Sequence, residues 1–246
     1  MSLILTARRA DRLEALAAQL RTQHDIDIQC MAADLADPAG AQKLHAQIQD
    51  RGLIVDILIN NAGYGVPGHF HALPWQTHAD FLQVMVTAPC ELVRLVLPGM
   101  RERGWGRIIN VASLAGFLPG SAGQTLYAAA KSFLIKFSQS LALENAARGV
   151  NVCALCPGFT YSEFHDVTGT RALVAKMPNW LWLDAEHVVR LGLDAVERGE
   201  VTCVTGRANR VIKSLSKLMP DRLALYIMRK QSKKFRGQHD DSKNSA

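Results

Sequence analysis

Residues 107–131 read RIINVASLAGFLPGSAGQTLYAAAK, and this stretch decides the fold. It opens with a short apolar run, Arg107–Ala112, that turns at Ser113. It closes on a helical pattern from Thr125 to about Arg148, stopped by Gly149, the residue type that most readily takes the left-handed backbone of a helix end. The same alternation extends outward in both directions. Upstream lie a strand-like Leu3–Leu5, then a helix Asp11–Arg21 with Leu13, Leu16, Ala17 and Leu20 at i, i+3, i+4 and i+7. A strand Ile26–Ala33 follows, then a helix Pro38–Asp50 with proline in its first turn, a strand Val55–Asn60, and a long helix from a Thr77 cap to Arg103. Downstream come a strand Val150–Leu155, an irregular stretch holding Pro157, Gly158, Gly169 and Pro178, a helix to Arg198 capped by Asp184, and a last strand Val201–Val204. Strands alternating with helices predict an α/β fold, a doubly wound parallel sheet with right-handed crossovers and helices on both faces. In such sheets ligands bind beyond the carboxyl ends of the strands.

The chain has 246 residues, 48% hydrophobic and 20% charged, with 18 Gly and 9 Pro, which excludes a disordered or collagenous protein. No apolar run reaches the roughly 18 residues of a membrane span. The opening MSLILTARRADRL does not read as a signal peptide, since two arginines directly follow a four-residue apolar stretch. Five scattered cysteines argue for a reducing, cytoplasmic setting. The formal charge of +6 is unevenly placed: residues 207–236 carry ten Lys/Arg against one acid, a local +9, which leaves −3 for the rest. The expected organisation is therefore a body of residues 1–206, a basic amphipathic segment over 207–236 and a disordered tail over 237–246.

Three strand ends carry chemistry. Asn60-Asn61-Ala62-Gly63 could be an ordinary βα turn, or small residues that let backbone approach a flat ligand. Tyr127 and Lys131, at i and i+4, lie one above the other on a helix face, with alanines between them leaving room for a ligand. An ammonium beside a phenol stabilises the phenolate and draws its pKa toward a working range, and Ser113 could hold a substrate oxygen nearby. The spacing alone is weak: four tyrosines and ten lysines in 246 residues give about 0.16 such pairs by chance. The third end is Cys156-Pro157-Gly158-Phe159-Thr160. Cys153 and Cys156, three apart on a strand, face opposite sides and read as core thiols rather than a redox pair.

Taken together and in order, these features resemble the short-chain dehydrogenase/reductase family over about residues 2–206. The resemblance implies Tyr127 as general acid/base, Lys131 as the lysine that lowers its pKa and bonds the nicotinamide ribose, and Ser113 as the serine that orients the carbonyl. It implies cofactor contacts from Asp34 and Leu35, from Asn61, Ala62 and Gly63, from Pro157, Gly158 and Thr160, and from Ser162, besides Tyr127 and Lys131. Arg8 and Arg9 follow the first strand, where arginine suits the 2′-phosphate of NADP, although a solvated strand end would look the same. The implied activity is an NADP(H)-dependent interconversion of carbonyl and alcohol.

Two departures stand out. No glycine precedes Gly40, so the family's opening strand, Gly-rich turn and helix are read as missing and the domain as N-terminally truncated. Met85 falls where the family commonly has a water-holding asparagine, and methionine cannot donate a hydrogen bond.

Phe159, Phe164, Met177, Trp180, Leu181 and Trp182 suggest a hydrophobic carbonyl or alcohol substrate, or else simply pack a lid onto the body. His69, His71 and His78 lack a carboxylate or cysteine at ligand spacing, so no metal is expected. Residues 209–236 suggest contact with an anionic membrane or a partner, or a packed helix with a solvated basic face. No recognition fold accompanies the charge, so nucleic acid is not expected; a homo-oligomer is. The competing function is a cofactor-deficient homologue that acts by binding or oligomerisation.

Overall fold

The protein is described here by a computed structural model covering residues 2–162 and 178–236, with side chains to Lys230. Strand β1 (Ser2–Ala7) runs parallel to β2 (Asp27–Ala32), in register from Ser2 opposite Asp27 to Ala7 opposite Ala32. Helix α1 (Ala10–Gln23) makes the crossover and buries Leu13 and Ala17. Helix α2 (Gly40–Asp50) follows, then β3 (Ile57–Asn60), β4 (Gly106–Val111), β5 (Val150–Cys156) and β8 (Thr202–Val204), a parallel sheet in the order β3-β4-β5-β8.

The expectation of a truncated N-terminus is corrected by this arrangement, because residues 2–32 form an intact strand–helix–strand unit with an unbroken six-residue ladder. The lack of glycine before Gly40 was the misleading signal. Glycine is obligatory at a βα turn only where the backbone is left-handed or closely approached. Here Arg9 enters α1 at φ −98° and ψ 102°, and no non-glycine residue has a positive φ among the described residues. Among the described residues no ladder joins β1 to β3. The β1–β2 unit is held to the larger sheet by side chains instead, with Met31, Leu44, Ile48 and Leu92 in one cluster and Ile4 and Leu58 packed against it.

The period-two alternation of strand side chains divides the larger sheet's two faces. Ile108, Val150 and Val152 pack against Val93, Val96 and Met100 of α4 (Ala88–Arg103) and Leu141 of α5 (Thr125–Asn145). Ile109, Cys153 and Leu155 pack on the opposite face against Val188, Ala195 and Val196 of α6 (Ala185–Glu197). Cys153 and Cys156 belong to different clusters, and burial pushes both thiols up to about 12, so neither is a thiolate near neutral pH.

The long helix begins as α3 (Trp75–Leu82) rather than at Thr77: Pro74 precedes it, and the Thr77 amide already donates to the Pro74 carbonyl. It runs through a π-helical turn, Gln83–Thr87, into α4. This continuous run of 29 residues is long and apolar enough to cross a membrane by composition, yet Phe81, Met85, Val93 and Met100 are buried in the fold. Helix α2 starts at Gly40, later than the Pro38 start read from sequence, because the Asp37 carboxylate accepts the Ala39 amide at 2.9 Å.

Two short strands were not foreseen. β6 (Phe159–Tyr161) pairs in parallel with β7 (Trp182–Asp184) beyond the end of β5. Their pairing is fixed by aromatic contacts, Tyr161 on Trp182 at 4.7 Å and Phe159 on Trp182 at 5.5 Å. The described residues close with α7 (Arg207–Leu218) and α8 (Asp221–Arg236).

Candidate active site

The centre of the site forms where β4 ends. Ser113 leaves the strand extended, and its hydroxyl accepts the Ala115 amide at 3.1 Å, closing a 3-10 turn over Leu114–Phe117. That turn rests on α5 through Gly116, where an added Cβ would lie 2.8 Å from the Lys131 backbone carbon. Only a residue without a Cβ allows this approach, and it brings Ser113 within hydrogen-bond reach of the Tyr127 hydroxyl.

Lys131 is 5% exposed and donates to the Val111 carbonyl at 2.6 Å; its Nζ lies 5.8 Å from the Tyr127 ring centroid. Burial pulls the Lys131 ammonium down to about 8, offset in part by Cys156. The ammonium therefore lies in the balance between charged and neutral forms, which suits a group that stabilises a developing phenolate. The Tyr127 phenol departs from the sequence expectation. Burial raises its pKa, and the Ser113 hydrogen bond opposes the rise only in part, so the hydroxyl holds its proton at neutral pH. A protonated Tyr127 is in the state needed to donate.

A buried polar chain that the sequence reading passed over fixes this geometry. Asn60 donates to the Asn110 side chain at 2.8 Å, Asn110 donates to the Ser138 hydroxyl at 2.8 Å, and Ser138 donates to the Leu134 carbonyl at 2.7 Å. It ties β3, β4 and α5 together, and each member is shielded from water, so breaking one link strands the others. The available signal was Asn110 itself, an amide between the apolar Ile109 and Val111 of β4.

The cofactor-side residues surround the same strand ends. Asn61, Ala62 and Gly63 are exposed at the exit of β3. Gly63 faces Met85, whose Sδ would lie 2.9 Å from an added Cβ, and Met85 is buried beside Phe81 and Ala130. Arg8 and Asp34 are exposed at the ends of β1 and β2, and the charges of both are felt by the half-buried Tyr64 phenol just past Gly63. Leu35 packs against the cluster that joins the two sheets. Gly40 makes a second close approach, its α-carbon pressed against the Asp34 carbonyl, which anchors the Asp34-Leu35 turn.

The loop after β5 completes the arrangement. The Pro157 carbonyl accepts the Leu114 amide at 2.8 Å, binding this loop to the Ser113 turn. Gly158 lies against Asn209 of α7, where a Cβ would meet Nδ2 at 2.4 Å. Thr160 Oγ1 donates to the Gly158 carbonyl at 3.3 Å, and Ser162 is exposed at the edge of the described residues.

On the substrate side, a small cavity of about 10 Å³ adjoins Tyr127, lined by Val66, Phe70, His78 and Phe81. Trp180 and Leu181 line a larger cavity of about 510 Å³ with Leu191 and Arg207. Phe164 and Met177, assigned to the same apolar set, lie outside the described residues. His78 bonds the Phe70 carbonyl at 2.8 Å and stacks on the Phe70 ring, while His69 stacks on His71. Among the described residues no group of three or more metal-ligating side chains converges.

A doubly wound parallel sheet with a Ser–Tyr–Lys cluster at its strand ends defines a Rossmann-like architecture of the kind that binds nicotinamide cofactors. Residues 1–171 match the family model described as short chain dehydrogenase, and the chain belongs to that family. It is 33% identical over 186 residues to the ketoacyl reductase HetN of a Nostoc species, a match spanning 76% of this chain and 63% of that protein. The match to that relative thus spans less than two thirds of its length. Among solved structures, a short-chain dehydrogenase from Sphingobium yanoikuyae in complex with NADPH superposes with TM-score 0.75 at 29% identity, covering 89% of this chain and 85% of that one. A bulky-bulky ketone specific alcohol dehydrogenase from Comamonas testosteroni gives 0.70 at 28% identity, covering 89% and 83%.

Proposed function

We propose that this protein interconverts a bulky, hydrophobic ketone and its secondary alcohol with NADP(H). The observation that carries this reading is the Ser113–Tyr127–Lys131 arrangement, with a protonated phenol beside a serine hydroxyl and a buried lysine one helical turn away. Bound NADPH supplies a hydride to the carbonyl carbon. Ser113 orients the carbonyl oxygen by donating a hydrogen bond to it. Tyr127 gives its proton to that oxygen as negative charge develops there, and the Lys131 ammonium stabilises the phenolate left behind. In the alcohol-oxidising direction the same groups act in reverse.

The donor set fits the cofactor. Lys131 sits at the end of β4 with Tyr127, where the nicotinamide ribose would lie, beside the Pro157–Thr160 loop. Asp34, Leu35 and Asn61–Gly63 suit the adenine. The positive end of α1, which has no side-chain cap, follows Arg8 and Arg9 and suits a 2′-phosphate. The NADPH bound by the Sphingobium relative and the ketone named for the Comamonas relative support the cofactor and the substrate class. Five free thiols suit the cytoplasmic setting we assign, and a homo-oligomer belongs to the same reading.

Replacing Arg8 tests the cofactor choice. Arg8→Glu is expected to raise KM for NADPH by about ten-fold or more and to leave KM for NADH unchanged or lower, since one bidentate phosphate contact is lost and a repulsion gained. Unchanged KM for NADPH removes Arg8 from the site.

Met85 supplies a second test. Met85→Asn is expected to raise kcat by providing a donor for a relay water behind Lys131. It should also cost about 1–3 kcal/mol of stability, because an amide enters an apolar cluster. An unchanged kcat in the folded variant takes Met85 out of the reaction.

One observation favours the competing, non-catalytic reading: the β1–α1 turn, Ala7-Arg8-Arg9-Ala10, offers no glycine for close approach of a pyrophosphate. Titration calorimetry with NADPH decides between the two. Micromolar binding supports the enzyme, and no binding supports the alternative.

A further inference from the structure

The C-terminal helices present an outward surface that the proposed reaction does not use. The inner face of α7 is fastened to the active-site wall. Asn209 lies under Gly158 and donates to the Thr205 carbonyl at 2.8 Å, Ile212 packs on the core, the Lys213 ammonium sits 4.9 Å from the Phe117 ring centroid, and Ser216 donates to the Phe117 carbonyl at 3.2 Å. The opposite face is apolar and bare. Val211, Leu215 and Leu218, at i, i+4 and i+7, are 57%, 56% and 82% exposed. At 100° per residue they form one narrow stripe, with Arg207, Arg210 and Lys217 along one flank.

Helix α8 differs: Leu223 and Leu225, two residues apart, lie on different sides, and the face between them is cationic around Tyr226. Ala224 is buried on its inner side, while Leu223, Leu225 and Tyr226 are exposed. Arg222, Arg229 and Lys230 stand four before, three after and four after Tyr226, so three cations ring one exposed phenol.

We infer that the α7–α8 surface docks on an anionic lipid bilayer, with Leu215, Leu218 and Tyr226 entering the interface and the Arg/Lys flanks meeting the headgroups. Three features favour this occupant. Residues 207–230 carry seven Lys/Arg against Asp221 alone, a charge of +6 that repels a second copy of the same face. An apolar stripe flanked by cations, with an aromatic among them, is the composition of helices that lie in a membrane interface. The apolar stripe is also presented by α7, a helix anchored through its inner face, so binding there orders little chain. The contact differs from a membrane span: the apolar α3–α4 run is core, and the docking helices lie on the surface. The inference stands independently of the proposed reaction, because its test reads partitioning rather than turnover.

The experiment is co-sedimentation of the full chain with vesicles of phosphatidylcholine alone or with about 30% phosphatidylglycerol. We expect about ten-fold or greater partitioning onto the anionic vesicles, reduced about five-fold or more when salt is raised to about 0.5 M. The double variant Leu215→Glu/Leu218→Glu, folded by circular dichroism, should lose most of this binding. The charge variant Lys217→Glu/Arg222→Glu should lose it as well, and both should keep their NADPH affinity. Equal partitioning onto neutral and anionic vesicles overturns the inference. So does anionic binding that survives loss of the leucines, or a dimer that dissociates in the leucine variant without any vesicle binding by the parent chain.

Discussion

Tyr127→Phe is expected to lower kcat for the proposed ketone reduction by about 10²–10⁴-fold and to leave NADPH affinity within about two-fold of the parent. The substitution removes one oxygen and keeps the ring, so the packing of Tyr127 against the Phe81–Met85–Ala130 cluster is retained. What disappears is the phenolic proton donor hydrogen-bonded to Ser113, while the Lys131 ammonium is directed at the Val111 carbonyl. Burial holds the phenol protonated, so the parent enzyme should reduce ketones well at neutral pH. Alcohol oxidation should improve toward alkaline pH, where Tyr127 loses its proton more readily. The phenylalanine variant should lose this pH response along with its rate. Steady-state kinetics over a pH series, with binding followed by NADPH fluorescence, provides the check; a variant retaining more than a tenth of the parent kcat removes Tyr127 from the proton transfer.

The second large effect belongs to Lys131. Its ammonium titrates at about 8 in the fold against 10.5 in an unfolded chain. Between those values Lys131 binds more protons in the unfolded chain than in the fold, so its own contribution to stability rises as pH rises through this window. The full difference is about 3 kcal/mol at 1.36 kcal/mol per unit. Below pH 8 the fold bears that cost, because it must hold a charged lysine away from water. Lys131→Met removes this group alone, so the stability of the parent relative to the variant should rise by about 3 kcal/mol from pH 8 to 10.5, while the fall that the buried Cys153 and Cys156 thiols impose above pH 9 is common to both. At pH 7 the variant should lose little stability, since relief of the buried charge offsets the unpaired Val111 carbonyl. Activity should fall by about two orders of magnitude or more, because the phenolate of Tyr127 loses its stabilising charge. Urea denaturation at several pH values, paired with kcat on the same samples, tests both parts. A parent-minus-variant difference with no rise above pH 8 would contradict the burial argument.

Much of this site was legible in the sequence, because its elements are local. The Tyr127–Lys131 spacing needs only a helix, Ser113 needs only a strand end, and the opposite orientation of Cys153 and Cys156 follows from strand pleating. What escaped notice depends on residues brought together across long separations. The Asn60–Asn110–Ser138 chain links positions 50 and 28 residues apart, and Gly116 matters only because α5 passes beneath it. β6 and β7 are three residues each and owe their pairing to Trp182, a contact no periodicity reports. The N-terminal unit was misread for a different reason. The lack of glycine points to a missing element, whereas Arg8 and Arg9 make the turn into α1 in ordinary backbone conformations.

The central claim, hydride transfer to a bulky hydrophobic ketone with Tyr127 as proton donor, is tested most directly by isotope transfer. The full chain is incubated with such a ketone and NADPH deuterated at the transferable nicotinamide position, and the product is analysed by mass spectrometry. The account predicts a secondary alcohol carrying one deuterium at the carbinol carbon, and no such product from Tyr127→Phe on the same timescale. Absence of deuterium in the alcohol, or equal labelling by the phenylalanine variant, would contradict it.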